Sequence, residues 1–172
     1  MRNAGMVQIP GDDSSEKAFP KSEPVVKSIS EPTRTDFFVK PLEVLLVEDN
    51  PGDILLIRQV LENEPWPINV RVAMDGKQAV QMLAARHFSP DLLILDLNVP
   101  KLSGLSVLEC SQREIPVVVF TSSSDPLDRR CSFELGVKEF VQKPTDLAVY
   151  AEVVSQIVRH WAAPKPNAAK AS

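Results

Sequence analysis

Five short apolar runs alternate with stretches of helical period through the middle of this chain, and that alternation predicts βα units around a parallel sheet. The runs are Val44 to Glu48, Asn69 to Ala73, Leu92 to Asp96, Val117 to Thr121 and Glu139 to Gln142. Each is apolar for most of its length, as for a strand covered by helices on both faces. The first helix is announced by Asn50 as a cap and Pro51 in the first turn, and carries Ile54, Leu55, Ile57, Val60 and Leu61 on one broad apolar face. A second runs from Gly76 to Arg86 with Val80, Leu83 and Ala84 inward, and a third starts near Gly104 with Leu105, Val107 and Leu108. The fourth begins at Asp125-Pro126, another cap followed by proline, and stops at Gly136, a natural left-handed terminator. The fifth opens at Thr145 and runs to Trp161. This strict alternation, (βα)5, predicts an α/β, flavodoxin-like doubly wound five-stranded parallel sheet of strand order 2-1-3-4-5, whose ligands bind beyond the carboxyl ends of the strands.

The flanks read differently. Across residues 1–40, Pro10, Pro20, Pro24 and Pro32 lie among Ser, Lys, Glu and Asp with no sustained period, which predicts a disordered N-terminal tail. A docking segment around Phe37, Phe38 and Val39 is the alternative for its end. Residues 164–172 predict a second disordered tail, leaving 41–163 as one folded domain. With 44% hydrophobic and 24% charged residues in 172, the chain has material for an ordinary core. A net charge of -4 offers no basic field for a phosphate backbone, so DNA is not an expected partner. No apolar run approaches the roughly 18 residues of a membrane span. The first residues lack the apolar stretch of a signal peptide, and the expected location is the cytoplasm, away from membranes. Cys110 and Cys131 show no metal or disulfide spacing and read as buried small hydrophobes.

Chemistry concentrates at the strand ends. The first run ends in Glu48-Asp49, the third in Asp96 and the fourth in Thr121, while the fifth leads through Gln142 to Lys143-Pro144. In a parallel sheet these ends lie side by side. Three carboxylates packed together repel unless a cation joins them, and Lys143 and a divalent ion are the two available. Hard oxygen ligands suit Mg2+. Such a site is arranged for phosphoryl transfer, in which metal and ammonium neutralise the equatorial oxygens while a carboxylate attacks in line. Thr121 would add a hydroxyl hydrogen bond. Taken singly, an acid after a strand caps the next helix and a lone Lys or Thr is solvated. Capping does not account for all of them at one edge.

The motifs Val47-Glu48-Asp49-Asn50, Asp96-Leu97-Asn98-Val99-Pro100 followed by Gly104, Phe120-Thr121-Ser122, and Phe140-Val141-Gln142-Lys143-Pro144 resemble the receiver domains of response regulators, the chemotaxis-regulator-like modules of two-component phosphorelays. The resemblance covers residues 42 to 161. It implies that Asp96 is the phosphoacceptor and that Glu48, Asp49, Asp96 and the backbone carbonyl of Asn98 hold Mg2+. It also implies that Lys143 contacts the phosphoryl oxygens, that Thr121 and Phe140 form a switch pair, and that the Lys143-Pro144 bond is cis. Asn98 and Ser123 are the positions that tune phosphoryl lifetime in resembling proteins. Asn50-Pro51-Gly52-Asp53, Leu135-Gly136-Val137, Lys143-Pro144-Thr145-Asp146-Leu147 and His160-Trp161 resemble more narrowly the single-domain regulators that partner phytochrome-type sensor histidine kinases. The implied function is a phosphoacceptor switch that transfers and hydrolyses its own phosphoryl group, and is not an enzyme acting on an external substrate.

Two departures stand out. Val99 occupies a position where the family commonly has Met, and the interval from Asp96 to Thr121 is short, which predicts a clipped third helix or a tight connection through Glu114-Ile115-Pro116. A phosphorylation-independent, receiver-like interaction module is the alternative function, opposed by the complete acidic, Thr and Lys set. A nucleotide or flavin site on the same fold would need a glycine-rich first turn, where Glu48-Asp49-Asn50-Pro51 stands instead. Little chain follows the fifth helix, so output is expected from binding. The expected surface comprises helices four and five with the last strand, including Phe133 and Val149, for a partner or a homodimer. Phosphorylation would draw Thr121 in and let Phe140 follow.

Overall fold

The side chains of each strand divide between two apolar layers, one on either face of the sheet. In the computed structural model, which describes residues 40–111 and 115–161, the order is β1 (Leu42–Val47), α1 (Pro51–Glu62), β2 (Ile68–Ala73), α2 (Gly76–Ala84), β3 (Leu92–Leu95), α3 (Gly104–Cys110), β4 (Val117–Thr121), α4 (Pro126–Glu134), β5 (Glu139–Gln142) and α5 (Leu147–Trp161). The five strands pair in parallel in the order β2-β1-β3-β4-β5, as predicted. Leu45, Val47, Leu93, Leu95 and Val119 face the layer filled by Ala79 and Leu83 of α2 and Val107 and Leu108 of α3. Val44, Leu46, Leu92, Ile94, Val118 and Phe120 face the layer filled by α1 and α5. This is the period of two expected of strands, both of whose faces are dry.

Both proline-led helices begin as the sequence predicts. The Asn50 side chain accepts from Gly52 N at 2.8 Å, and that of Asp125 accepts from Leu127 N at 2.8 Å. α4 ends ahead of Gly136, whose φ of 87° is the left-handed conformation that favours glycine. α5 starts later than Thr145, because Asp146 caps it by accepting from Ala148 N and Val149 N. α3 is clipped to seven residues. Residues 1–39 of the expected tail at 1–40, the expected tail at 164–172, the Phe37-Phe38-Val39 segment and Glu114 lie outside the described residues.

Several expectations are corrected. β2 and β5 are the edges of the sheet and only half-buried, so continuous burial holds for β1, β3 and β4 alone. Leu55 is 60% exposed, and Ala79 takes the inward place expected of Ala84. Both follow from helical phase, since α1 and α2 each turn a narrower stripe to the sheet than their apolar content allows. Cys110, on the last residue of the short α3, is exposed and Cys131 is only partly covered; neither is a core hydrophobe. Every peptide bond among the described residues is trans, Lys143-Pro144 included. No helix among them is long and apolar enough to cross a membrane.

Candidate functional site

β1 and β3 stop one residue short of their acids, so Glu48 and Asp96 emerge together just beyond the carboxyl edge. The register that pairs Val47 with Leu95 places them side by side, with Asp96 N donating to Val47 O at 2.9 Å. β4 brings Thr121 to the same edge, and Lys143 N donates to Thr121 O at 2.8 Å as the chain leaves β5. The backbone of Gly104 presses against the main chain of Asp96 and Leu97, just beyond β3. A Cβ there would meet Leu97 Cα at 2.6 Å and Asp96 O at 2.7 Å.

Lys143 is the centre of the arrangement. Its ammonium donates to Glu48 Oε2 at 2.6 Å, Asp96 Oδ2 at 2.7 Å and Asp53 Oδ2 at 2.7 Å. The second Asp96 oxygen, Oδ1, accepts from the Thr121 hydroxyl at 2.7 Å and from Asn98 N at 2.9 Å. Thr121 Oγ1 itself accepts from Ser123 N at 3.2 Å. Glu48 is 1% exposed and Asp96 5%, so two acids sit in the protein interior and depend on these donors. Burial pushes the Glu48 carboxyl above its usual value against the pull of Lys143. Burial also opposes the Lys143 charge, but the hydrogen bonds to Asp53, Asp96 and Glu48 outweigh it and hold the ammonium above the usual lysine range.

Of the expected residues, the structure brings Glu48, Asp96, Thr121 and Lys143 together. It leaves Asp49 exposed at the rim, and Asp53 supplies the third carboxylate on the ammonium. Asp53 was missed as a site residue because an acid in the first turn of a helix reads as a partner for the helix dipole. Its only signal is that the first turn of α1 follows directly on Glu48-Asp49. Phe140, expected to move inward when Thr121 is drawn to a phosphoryl group, is already buried in this structure, and the Thr121 hydroxyl is already on Asp96.

Among the described residues no three acidic, histidine or cysteine side chains form a metal-binding group by themselves. Mg2+ does not require one, since it takes one or two carboxylates and keeps several waters. Glu48, Asp49, Asp96 and the Asn98 carbonyl offer hard oxygens only. Three carboxylates meet a single ammonium and Asp49 stands beside them at the rim, so the local excess of negative charge favours a dication there.

Known proteins share this frame. CpxR of Escherichia coli, a transcriptional regulatory protein, is 34% identical over 129 residues, which are 73% of this chain and 53% of CpxR. The chain thus spans about half the length of that relative. Response regulator Rcp1 of Synechocystis sp. is 34% identical over 131 residues, 70% of this chain and 89% of Rcp1. The crystal structure of its Mn2+-bound form superposes with a TM-score of 0.67, covering 73% of this chain and 98% of that one at 32% identity. The phosphorylated cyanobacterial phytochrome response regulator RcpA superposes with a TM-score of 0.68 at 34% identity, covering 73% and 97%. The profile of the response regulator receiver domain matches residues 44–155, a span that takes in β3, β4 and β5 with every acid on the Lys143 ammonium. The chain belongs to the response regulator receiver domains of two-component signalling.

Proposed function

We propose that the protein accepts a phosphoryl group on Asp96 from a sensor histidine kinase and thereby changes how it binds its partners. The observation that carries this reading is the state of Asp96, buried at the strand edge with one oxygen on Thr121 and the other on Lys143. A carboxylate oxygen of Asp96 attacks phosphorus, the bond from phosphorus to the donor breaks, and its electron pair leaves with the donor. Lys143 follows the charge onto the phosphoryl oxygens, and the Thr121 hydroxyl donates to one of them. Mg2+, held by Glu48, Asp49, Asp96 and the Asn98 carbonyl, would supply neutralisation of the remaining oxygens. Water later cleaves the acyl phosphate, so no external substrate is turned over.

The likeness to RcpA, a phytochrome response regulator, supports a phytochrome-type kinase as donor, and the site of action is read as the cytoplasm. The exposure of Phe133 (44%) and Val149 (48%) supports an output or homodimer surface on α4, β5 and α5. The test is phosphorylation with Mg2+ and acetyl phosphate, read by intact mass. Wild type gains one hydroxylamine-labile phosphoryl group and Asp96→Asn gains none; an equal gain in the variant overturns the assignment.

A further inference from the structure

All three N–H bonds of Lys143 are spent on carboxylates, and the third, Asp53, lies outside the strand-end set. It stands on the first turn of α1 and its side chain, 24% exposed, is the least buried of the three. When Asp96 takes a phosphoryl group, Lys143 must give up the Asp96 oxygen for a phosphoryl oxygen farther from the strand. Its 2.7 Å bond to Asp53 is then the one placed to lengthen, because Asp53 approaches from α1 and not from the sheet.

One unspent donor lies in the same neighbourhood. Tyr150 of α5 is buried, and its hydroxyl has no hydrogen-bond partner. Its ring meets Phe120 edge-on at 4.9 Å, and the Phe120 ring lies 6.0 Å from Lys143 Nζ. After burial, the Asp53 carboxylate is the largest influence raising the phenol above its usual range. A buried hydroxyl left unpaired costs free energy, so a partner in another state of the site would account for its retention.

We propose that Asp53 is a positioning residue that changes partner during phosphoryl transfer: it holds Lys143 while Asp96 is a free carboxylate, and accepts the Tyr150 hydroxyl once Lys143 turns to the phosphoryl oxygens. This rests on Asp96 being the acceptor. No proton and no covalent bond changes hands in the exchange; two hydrogen bonds are remade. Asp53 therefore sets where the ammonium waits, and Tyr150 removes the cost of leaving Asp53 unpaired when it departs.

The experiment uses the full chain with Mg2+ and acetyl phosphate, for wild type, Asp53→Asn, Asp53→Ala and Tyr150→Phe, with Asp96→Asn as control. Maximal phosphorylation rate, half-saturating donor concentration and acyl-phosphate lifetime are measured, together with proton exchange of the Lys143 ammonium by NMR in the unphosphorylated protein without Mg2+. Asp53→Ala lowers the maximal rate about tenfold at nearly constant half-saturation, because the ammonium is misplaced. Asp53→Asn, which keeps an acceptor oxygen, restores most of that rate. Ammonium exchange quickens in the Ala variant and not in the Asn variant. Tyr150→Phe leaves the ammonium signal unchanged and shortens the acyl-phosphate lifetime about tenfold or more, the effect of losing one hydrogen bond to a charged group. Wild-type rates and exchange in Asp53→Ala, or a wild-type lifetime in Tyr150→Phe, overturn the proposal. Failure of the acceptor assignment shows separately, as label retained by Asp96→Asn.

Discussion

α5 and α4 flank the same edge strand and are held in opposite ways. α5 buries Tyr150, Val154, Ile157 and Val158 against β1, β3 and β4 and is braced to α1 through Glu64, which accepts from Ser155 and Arg159. α4 buries only Ser132, whose hydroxyl donates back to Asp128 O, and leaves Leu127, Phe133 and Leu135 exposed. Its tie to β5 is Arg129. That guanidinium lies 5.5 Å from the Phe133 ring and 5.4 Å from the Phe140 ring, and donates to Phe140 O at 3.4 Å. Each buried aliphatic chain of α5 contributes about 1.5–3 kcal/mol, and α4 has no such anchor. Elements that move in switching come from the weakly held end of a structure, and here the weakly held helix touches Phe140, the residue proposed to move with Thr121.

The comparison breaks most visibly in the core. Ile157→Ala is expected to cost about 2–5 kcal/mol in urea unfolding, whereas Phe133→Ser should stay within about 0.5 kcal/mol. Equal losses would mean that α4 is anchored as firmly as α5. Removing the tie should matter less: Arg129→Ala is expected to loosen α4 by about 1 kcal/mol, seen as roughly fivefold faster amide exchange there with α5 unchanged. Exchange that quickens equally in both helices would dissolve the distinction. The smallest effect concerns pH. Tyr150 is the single tyrosine, so absorbance near 295 nm reports it alone. The folded phenol lies above its ordinary value of 10.0, and the unfolded one ionises first. Its contribution to stability is therefore constant below pH 10 and falls as pH rises above it. Tyrosinate appearing at pH 10 while the protein remains folded would place the hydroxyl in water and undo the tight packing of α5.

How much of this was legible in the sequence depends on whether the information was local. β4 and β5 were bounded by apolar runs and turn residues, and the starts of α1 and α4 by cap and proline, so each was written within a few residues. Glu48, Asp96, Thr121 and Lys143 were found because a parallel sheet makes strand ends neighbours however far apart they lie in the chain. Asp53 was not, because its contact with Lys143 depends on the rotation of α1 about its own axis, which no period records. Asp49 stands at the rim because adjacent residues leave a strand in opposite directions, and only Glu48 turns inward. The burial of Phe140 likewise depends on how its side chain is turned at the sheet edge, and composition is silent on that.

The close approach of Gly104 has a consequence for any mutational survey of this protein. The position has no side chain to offer and takes no part in the chemistry, yet even an alanine methyl would drive α3 against the main chain of Asp96 and Leu97. A saturation library selected for phosphoryl acceptance would return glycine there as strictly as it returns aspartate at 96. Intolerance at residue 104 would then mark shape at the acceptor, and a survey that equates intolerance with catalysis would count one reactive residue too many.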